Sequence, residues 1–223
     1  MPAALEIPAI ASRVAATADA RCAVHQDKAA QKLAETPYRF RDQVTARSHA
    51  LVVPRVSSEN RPCLPVGLLT KDSIIQDRAF ALYDAPLWNM ALIASRLHWV
   101  WIGTICVRMR TDFSYSNTLG WNTFPVPPLT DKMQADLTRC AEDILLAREA
   151  HFPATIADLY DPESMPANLR AAHERNDEVL ERSYIGRRFR NDTERLEKLF
   201  ELYTKMTAAP GGDGAPRKRK IRA

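Results

Sequence analysis

The stretch RMRTDFSYSNTLGWNTFPVPP, Arg108 to Pro128, divides the chain. It opens with charges at alternating positions (Arg108, Arg110, Asp112) and passes through Phe113, Tyr115 and Trp121 among serines, threonines and asparagines. It closes in a proline run, Pro125, Pro127 and Pro128, where regular structure has to stop. Upstream, short strand-like runs mix with helix. Downstream, only helical patterns follow. The expected fold class is α+β: a partial mixed α/β domain over residues 1–128, an all-helical domain over 129–207, and a disordered basic tail over 208–223.

Working back from that divide, Pro86 suits the first position of a long apolar helix running to about Val107. HALVVP, Cys63 to Leu69, and Ala79 to Tyr83 are short apolar runs bounded by Pro54, Pro62, Pro65 and Gly67, and they read as strands. Ala9 to Glu35 is alanine-rich and predicts one helix, ended at Thr36 by the proline that follows. Working forward, Thr130-Asp131 predicts the cap of a helix to about Ala150, with Leu137, Ile144 and Leu145 on its apolar side. ADLYDPESMP reads as a turn-rich joint. Leu169 to Tyr184 and a segment opened by Asp192-Thr193-Glu194 read as amphipathic helices.

Composition narrows the function. With 46 % hydrophobic and 26 % charged residues in 223, the chain has the makings of an ordinary buried core. No apolar run approaches the roughly 20 residues that cross a bilayer, so no membrane partner is expected. Cys22, Cys63, Cys106 and Cys140 are widely spaced, which predicts reduced core thiols in a cytoplasmic protein rather than a metal site. The net charge of +4 is carried by the tail, where Asp213 faces Arg217, Lys218, Arg219, Lys220 and Arg222, leaving residues 1–207 near neutral. Any nucleic-acid contact by the body must therefore come from a local patch.

Catalytic patterns are missing. Three of the seven glycines lie in the tail, and no glycine-rich phosphate loop, nucleophile elbow or His-Glu-x-x-His motif occurs. His98, inside an apolar helix, reads as structural. Glu142-Asp143 and Asp177-Glu178 read as solvated helix faces. The residues leave enzyme status open and name no catalytic group.

The dividing stretch itself supports two readings. One is a strand or loop with ordinary solvated charges. The other starts from hydrogen-bond geometry: arginine reads guanine through O6 and N7, and a carboxylate accepts from the cytosine amino group. On one extended strand Arg110 and Asp112 would share a side and reach both members of a G·C pair. Ser114, Tyr115, Ser116 and Asn117 offer short polar groups suited to phosphate or base edges.

The chain resembles the C-terminal part of MmeI-like type IIL restriction–modification enzymes. The resemblance rests on QKLAETPYRF, VVPRVSSENRPCLPVGLL, ALIASRLHWVW and YSNTLGWNTFPVP, and downstream on ADLYDPESMPANLRAAHERNDEVLERSY and DTERLEKLFELYTKM. It runs from about Ile10 to Met206. It implies the later part of a target recognition domain, then a helical C-terminal domain, of an adenine-specific DNA methyltransferase system. The positions matching the family's base-reading pair are Arg110 and Asp112. Arg108, Ser114, Tyr115, Ser116 and Asn117 would set register on the DNA backbone, and Arg55, Ser57 and Ser58 in VPRVSSEN would contact phosphate. Ser114 stands where the family usually has an arginine.

The departures matter equally. The family's S-adenosylmethionine loop and Asn-Pro-Pro-Tyr/Phe motif do not occur, nor do the spaced carboxylates and lysine of its nuclease. The expectation is a fragment or split subunit that recognises double-stranded DNA, while S-adenosylmethionine binds a catalytic domain or partner subunit elsewhere. The rival expectation is an assembly remnant that no longer binds DNA. A third is non-specific nucleic-acid binding by the tail alone.

Overall fold

The computed structural model describes residues 2–208 apart from residues 25 and 42. The basic tail predicted from sequence thus lies, beyond Ala208, outside the described residues. Two compact units are present, residues 1–44 and residues 45–223. The fold is α+β, as the sequence predicts.

In the first unit a short α1 (Pro2–Leu5) precedes α2 (Pro8–Cys22) and α3 (Lys28–Leu33). The single helix expected over Ala9–Glu35 is broken, and Asp27 breaks it. Its carboxylate accepts from the amides of Ala29 and Ala30, both at 3.0 Å, which caps a new helix instead of continuing the old one. Arg21, on the last turn of α2, donates to the Leu33 and Arg39 carbonyls at 3.0 and 2.9 Å and holds the returning segment.

The second unit holds everything else. β1 (His49–Pro54) pairs antiparallel with β3 (Gly67–Thr70) on one side and β4 (Ala79–Tyr83) on the other. A second small sheet has the order β2-β6-β5, from β2 (Val56–Ser57), β6 (Asp112–Ser114) and β5 (Arg108–Met109). The predicted strand Cys63–Leu69 survives only from Gly67 onward, because Pro62 and Pro65 cannot donate to a ladder.

The long apolar helix is two helices, α4 (Trp88–Ile93) and α5 (Arg96–Ile105). Ser95 makes the break: its hydroxyl accepts from the His98 amide at 3.1 Å and donates to the Leu92 carbonyl at 2.7 Å. Both helices are almost wholly buried and form the centre of the core. After Pro128, Thr130 caps α6 (Asp131–Glu149) as expected, and a one-turn α7 (Ile156–Leu159) leads into the predicted joint. Then come α8 (Ala167–Ile185) and α9 (Asp192–Ala208). α6 packs on α4 and α8, and α9 packs on α5. The helices after Pro128 thus share one core with α4 and α5.

Ion pairs tie that core together. Arg96 on α5 pairs with Asp192 at 2.6 Å, and Asp192 also receives Arg195, which pairs with the buried Glu181 at 2.6 Å. Asp177, expected on a solvated face, instead accepts from the Arg96 amide at 2.7 Å. Burial lifts its carboxyl from 3.8 to about 7, even though part of the residue still reaches solvent. The unfolded chain gives up this proton near pH 4 while the folded chain keeps it to about pH 7, so this group costs stability as pH rises through that window. Asp177→Asn keeps an acceptor for the amide and removes the charge. It is expected to melt higher than wild type at pH 8 and equally near pH 4. A lower melting temperature for the variant at pH 8 would show that the ionised carboxylate is what the site wants.

Candidate functional site

The alternating charges at the dividing stretch form a hairpin, not one strand. β5 and β6 pair with Met109 opposite Asp112 and Arg108 opposite Phe113, leaving Arg110 and Thr111 as a two-residue loop. The shared-side argument for Arg110 and Asp112 therefore falls: one residue is at the tip and the other opens the returning strand. The hairpin still brings the two close along the chain at one exposed end. Arg110 is exposed and Asp112 half-buried. Arg110 has φ +60°, a left-handed backbone that glycine or asparagine adopts more cheaply.

β2 lies alongside β6, with Val56 opposite Ser114 and Ser57 opposite Phe113, and the Tyr115 amide donates to the Arg55 carbonyl at 2.8 Å. The two stretches singled out in the sequence, VPRVSSEN and the dividing segment, are thus neighbours in one sheet. Their side chains divide into a surface set and a core set. Arg55 is exposed, donates to the Asp77 carbonyl at 3.1 Å and lies 5.9 Å from the Phe80 ring. Ser58 is half-buried, and its hydroxyl accepts from the Asn60 amide. Ser114, Ser116 and Asn117 are half-buried.

Two expectations need correction. Tyr115 is 3 % exposed and its hydroxyl meets His98 Nε2 at 3.1 Å, so it is a core residue out of reach of phosphate. Burial holds its proton well above the ordinary range. Ser57 is 6 % exposed with its hydroxyl enclosed, so it cannot serve phosphate either. Arg108, expected on the DNA backbone, is exposed and has partners within the fold. It pairs with Glu59, donates to the Thr111 carbonyl at 3.3 Å, and lies 4.8 Å over the Phe113 ring. Glu59 went unremarked in the sequence, although it sits inside VPRVSSEN. Ser116 has a local job: its hydroxyl accepts from the Leu119 amide and starts a π-helical turn over Asn117–Trp121.

A groove of about 370 Å³ runs between the hairpin and helices α5 and α9. It is lined by the paired Glu59 and Arg108, the paired Arg96 and Asp192, and Trp99 and Phe113. Its charges are matched in pairs within the fold. No cluster of three or more metal-ligating side chains occurs among the described residues.

Residues 1–128 match the family described as MmeI, target recognition domain, and residues 129–209 match MmeI, C-terminal domain. The chain belongs to the MmeI family. It is 40 % identical over 181 residues to DNA methyltransferase A of Bacillus subtilis (strain 168), a match covering 81 % of this chain and 20 % of that protein. It also superposes with a TM-score of 0.82 and 28 % identity on the type IIL restriction–modification enzyme MmeI, solved in complex with DNA. That match covers 90 % of this chain and 27 % of MmeI. The MmeI-family chain therefore spans about a fifth to a quarter of these relatives.

The described glycines do not fit a cofactor loop. A Cβ on Gly103 would meet the Phe113 ring at 3.1 Å, and one on Gly120 would meet Ile102 and Tyr115 at 3.2 Å. Both serve core packing. Gly186 ends α8 at φ +77°, and Gly67 lies in β3. Among the described residues, no helix is long and apolar enough to cross a membrane.

Proposed function

We propose that this chain is the sequence-recognition module of an adenine-specific DNA methyltransferase system, with the β5–β6 hairpin as the base-reading element. The observation that carries it is Arg110. An arginine at an exposed hairpin tip in left-handed backbone costs the fold about 1–2 kcal/mol, and glycine would relieve that cost. Backbone strain that persists at an exposed position points to what the side chain does. A guanidinium there reads guanine, and Asp112 beside it accepts from the paired cytosine. The family membership, and the superposition on an enzyme solved with DNA, support the same reading. S-adenosylmethionine and the chemistry then belong to a catalytic domain or partner chain, and the complex works in the cytoplasm. The domain division at about Pro128 and the tail as a separate basic segment belong to this proposal too. Arg55, Ser58, Ser114, Ser116 and Asn117 remain as candidates for fixing register on the sugar–phosphate backbone.

The test is selection of duplexes from a randomised double-stranded library by the full chain, followed by competition. Arg110→Ala and Asp112→Ala are each expected to lose about 1–3 kcal/mol of discrimination at one shared base pair. Arg110→Gly is expected to lose the same discrimination without losing stability, because glycine relaxes the turn. Unchanged selectivity in all three variants rejects the reading.

A second reading, an assembly surface without DNA binding, is favoured by one observation. β3 is an edge strand with Leu68 and Leu69 39 % and 41 % exposed, a surface suited to another chain. A salt titration separates the two, since phosphate contacts give a steep log–log slope and an assembly remnant gives none. Deleting residues 209–223 in the same titration isolates any contribution from the basic tail.

A further inference from the structure

We propose that Glu59 and Arg108 form a staple that holds the Arg110–Thr111 turn in its reading conformation, and that Arg108 is not itself a DNA contact. The inference rests on the assignment of Arg110 and Asp112 made above. Three groups from three places converge on the Arg108 guanidinium. Glu59 comes from the loop after β2, the Thr111 carbonyl is part of the turn, and the Phe113 ring comes from β6. Each is anchored differently. Phe113 is 7 % exposed and meets Trp99 of α5 edge-on at 4.8 Å. Gly103 of α5 sits directly beneath the ring, since a Cβ there would approach it to 3.1 Å. Rigid contacts therefore lead from the core helix to Phe113, from Phe113 to Arg108, and from Arg108 to a carbonyl of the turn.

The turn needs such a hold. Its first residue is left-handed and not glycine, so an unrestrained loop would relax toward commoner backbone angles and carry the Arg110 side chain away. Arginine suits the role because its Nη1 donates to a carboxylate and a carbonyl together while its planar guanidinium lies over a ring, a contact lysine does not reproduce. The ion pair is largely solvent-exposed and adds little to global stability. Its effect is local order. Glu59 and Arg108 are thus positioning residues, acting on base recognition through Arg110 and Asp112.

The full chain, the duplexes selected by wild type, and the same duplexes altered at the Arg110–Asp112 base pair provide the test. Glu59→Ala and Arg108→Lys are each expected to reduce preference at that pair about tenfold, and the double variant to lose no more than either alone. Arg108→Ala is expected to leave the salt slope of binding unchanged, whereas a lost phosphate contact lowers it by about 0.9. Arg108→Gln replaces it in that measurement if the alanine variant does not fold. Without DNA, hydrogen exchange at residues 110–113 is expected to quicken in Glu59→Ala while α5 stays protected. A slope reduced by about 0.9, full preference kept by Arg108→Lys, or unchanged exchange at the turn overturns the staple. Intact preference in Arg110→Ala and Asp112→Ala overturns instead the functional reading beneath it, and the exchange measurement then still decides whether the staple exists.

Discussion

Arg148→Ala is expected to lower the free energy of unfolding by about 3–5 kcal/mol, among the largest effects of any single side chain here. Arg148 lies on α6 and is 8 % exposed, yet among the described residues no carboxylate pairs with it. Its guanidinium donates instead to the Val66 carbonyl at 2.6 Å and to the Tyr160 hydroxyl at 2.7 Å, and lies 4.9 Å over the Tyr160 ring. Tyr160 meets His173 Nε2 at 2.8 Å. Burial, with the Arg148 charge beside it, drops His173 from 6.5 to about 3, so the imidazole is neutral and accepts a hydrogen bond from the Tyr160 hydroxyl. Truncating Arg148 strands a buried carbonyl, takes a donor from a buried hydroxyl, and leaves a hole. Arg148→Met refills the hole and removes the buried charge, so it is expected to cost less, about 1–3 kcal/mol for the unpaired Val66 carbonyl. Urea unfolding at neutral pH, with the slope unchanged and the midpoint shifted, is the measurement. Equal midpoints for wild type and Arg148→Ala would mean that the helices after Pro128 do not depend on the loop before β3.

That network shows what a sequence conveys and what it conceals. β1 and β4 were legible because apolar runs ended by proline or turn residues carry their own boundaries, and α6 and α9 because Thr130 and Asp192 mark their starts. The break at Ser95 was half-visible: the serine interrupts the apolar run, but only the fold shows its hydroxyl capping α5. The strand drawn through Arg108 and Asp112 failed for a different reason. Alternation of charges is a strand signal, yet a two-residue loop without glycine leaves no turn signal at all. Tyr115 and Ser57 were misassigned because a polar atom in a sequence does not announce whether its backbone faces water or the core. Glu59 was missed because its partner is 49 positions away, and Asp177 because the amide it serves belongs to another helix. Local rules find elements; long-range partners, which here set the candidate site, come only with the packed core.

Trp101→Ala is the second large effect, expected to cost about 3–5 kcal/mol. Trp101 lies on α5 and is 1 % exposed, and its indole N–H donates to Thr123 Oγ1 at 3.2 Å. Its ring meets Phe200 and Tyr203 of α9 at 5.2 and 5.7 Å between centroids. On the other side of α5, Trp99 meets Phe113 under the hairpin. One helix thus holds α9 with one tryptophan and the β5–β6 hairpin with the other. Trp101→Phe keeps the aromatic contacts, loses the hydrogen bond, and is expected to cost about 1–2 kcal/mol. The two tryptophans also separate stability from recognition. Trp101→Ala is expected to expose α9 to hydrogen exchange while residues 110–113 keep their wild-type rates. Below its melting temperature, the variant is expected to keep any preference at the base pair proposed for Arg110 and Asp112. If Trp101→Ala abolished that preference in protein still folded by circular dichroism, α9 would have to be counted as part of the reading surface, and the hairpin would no longer act alone.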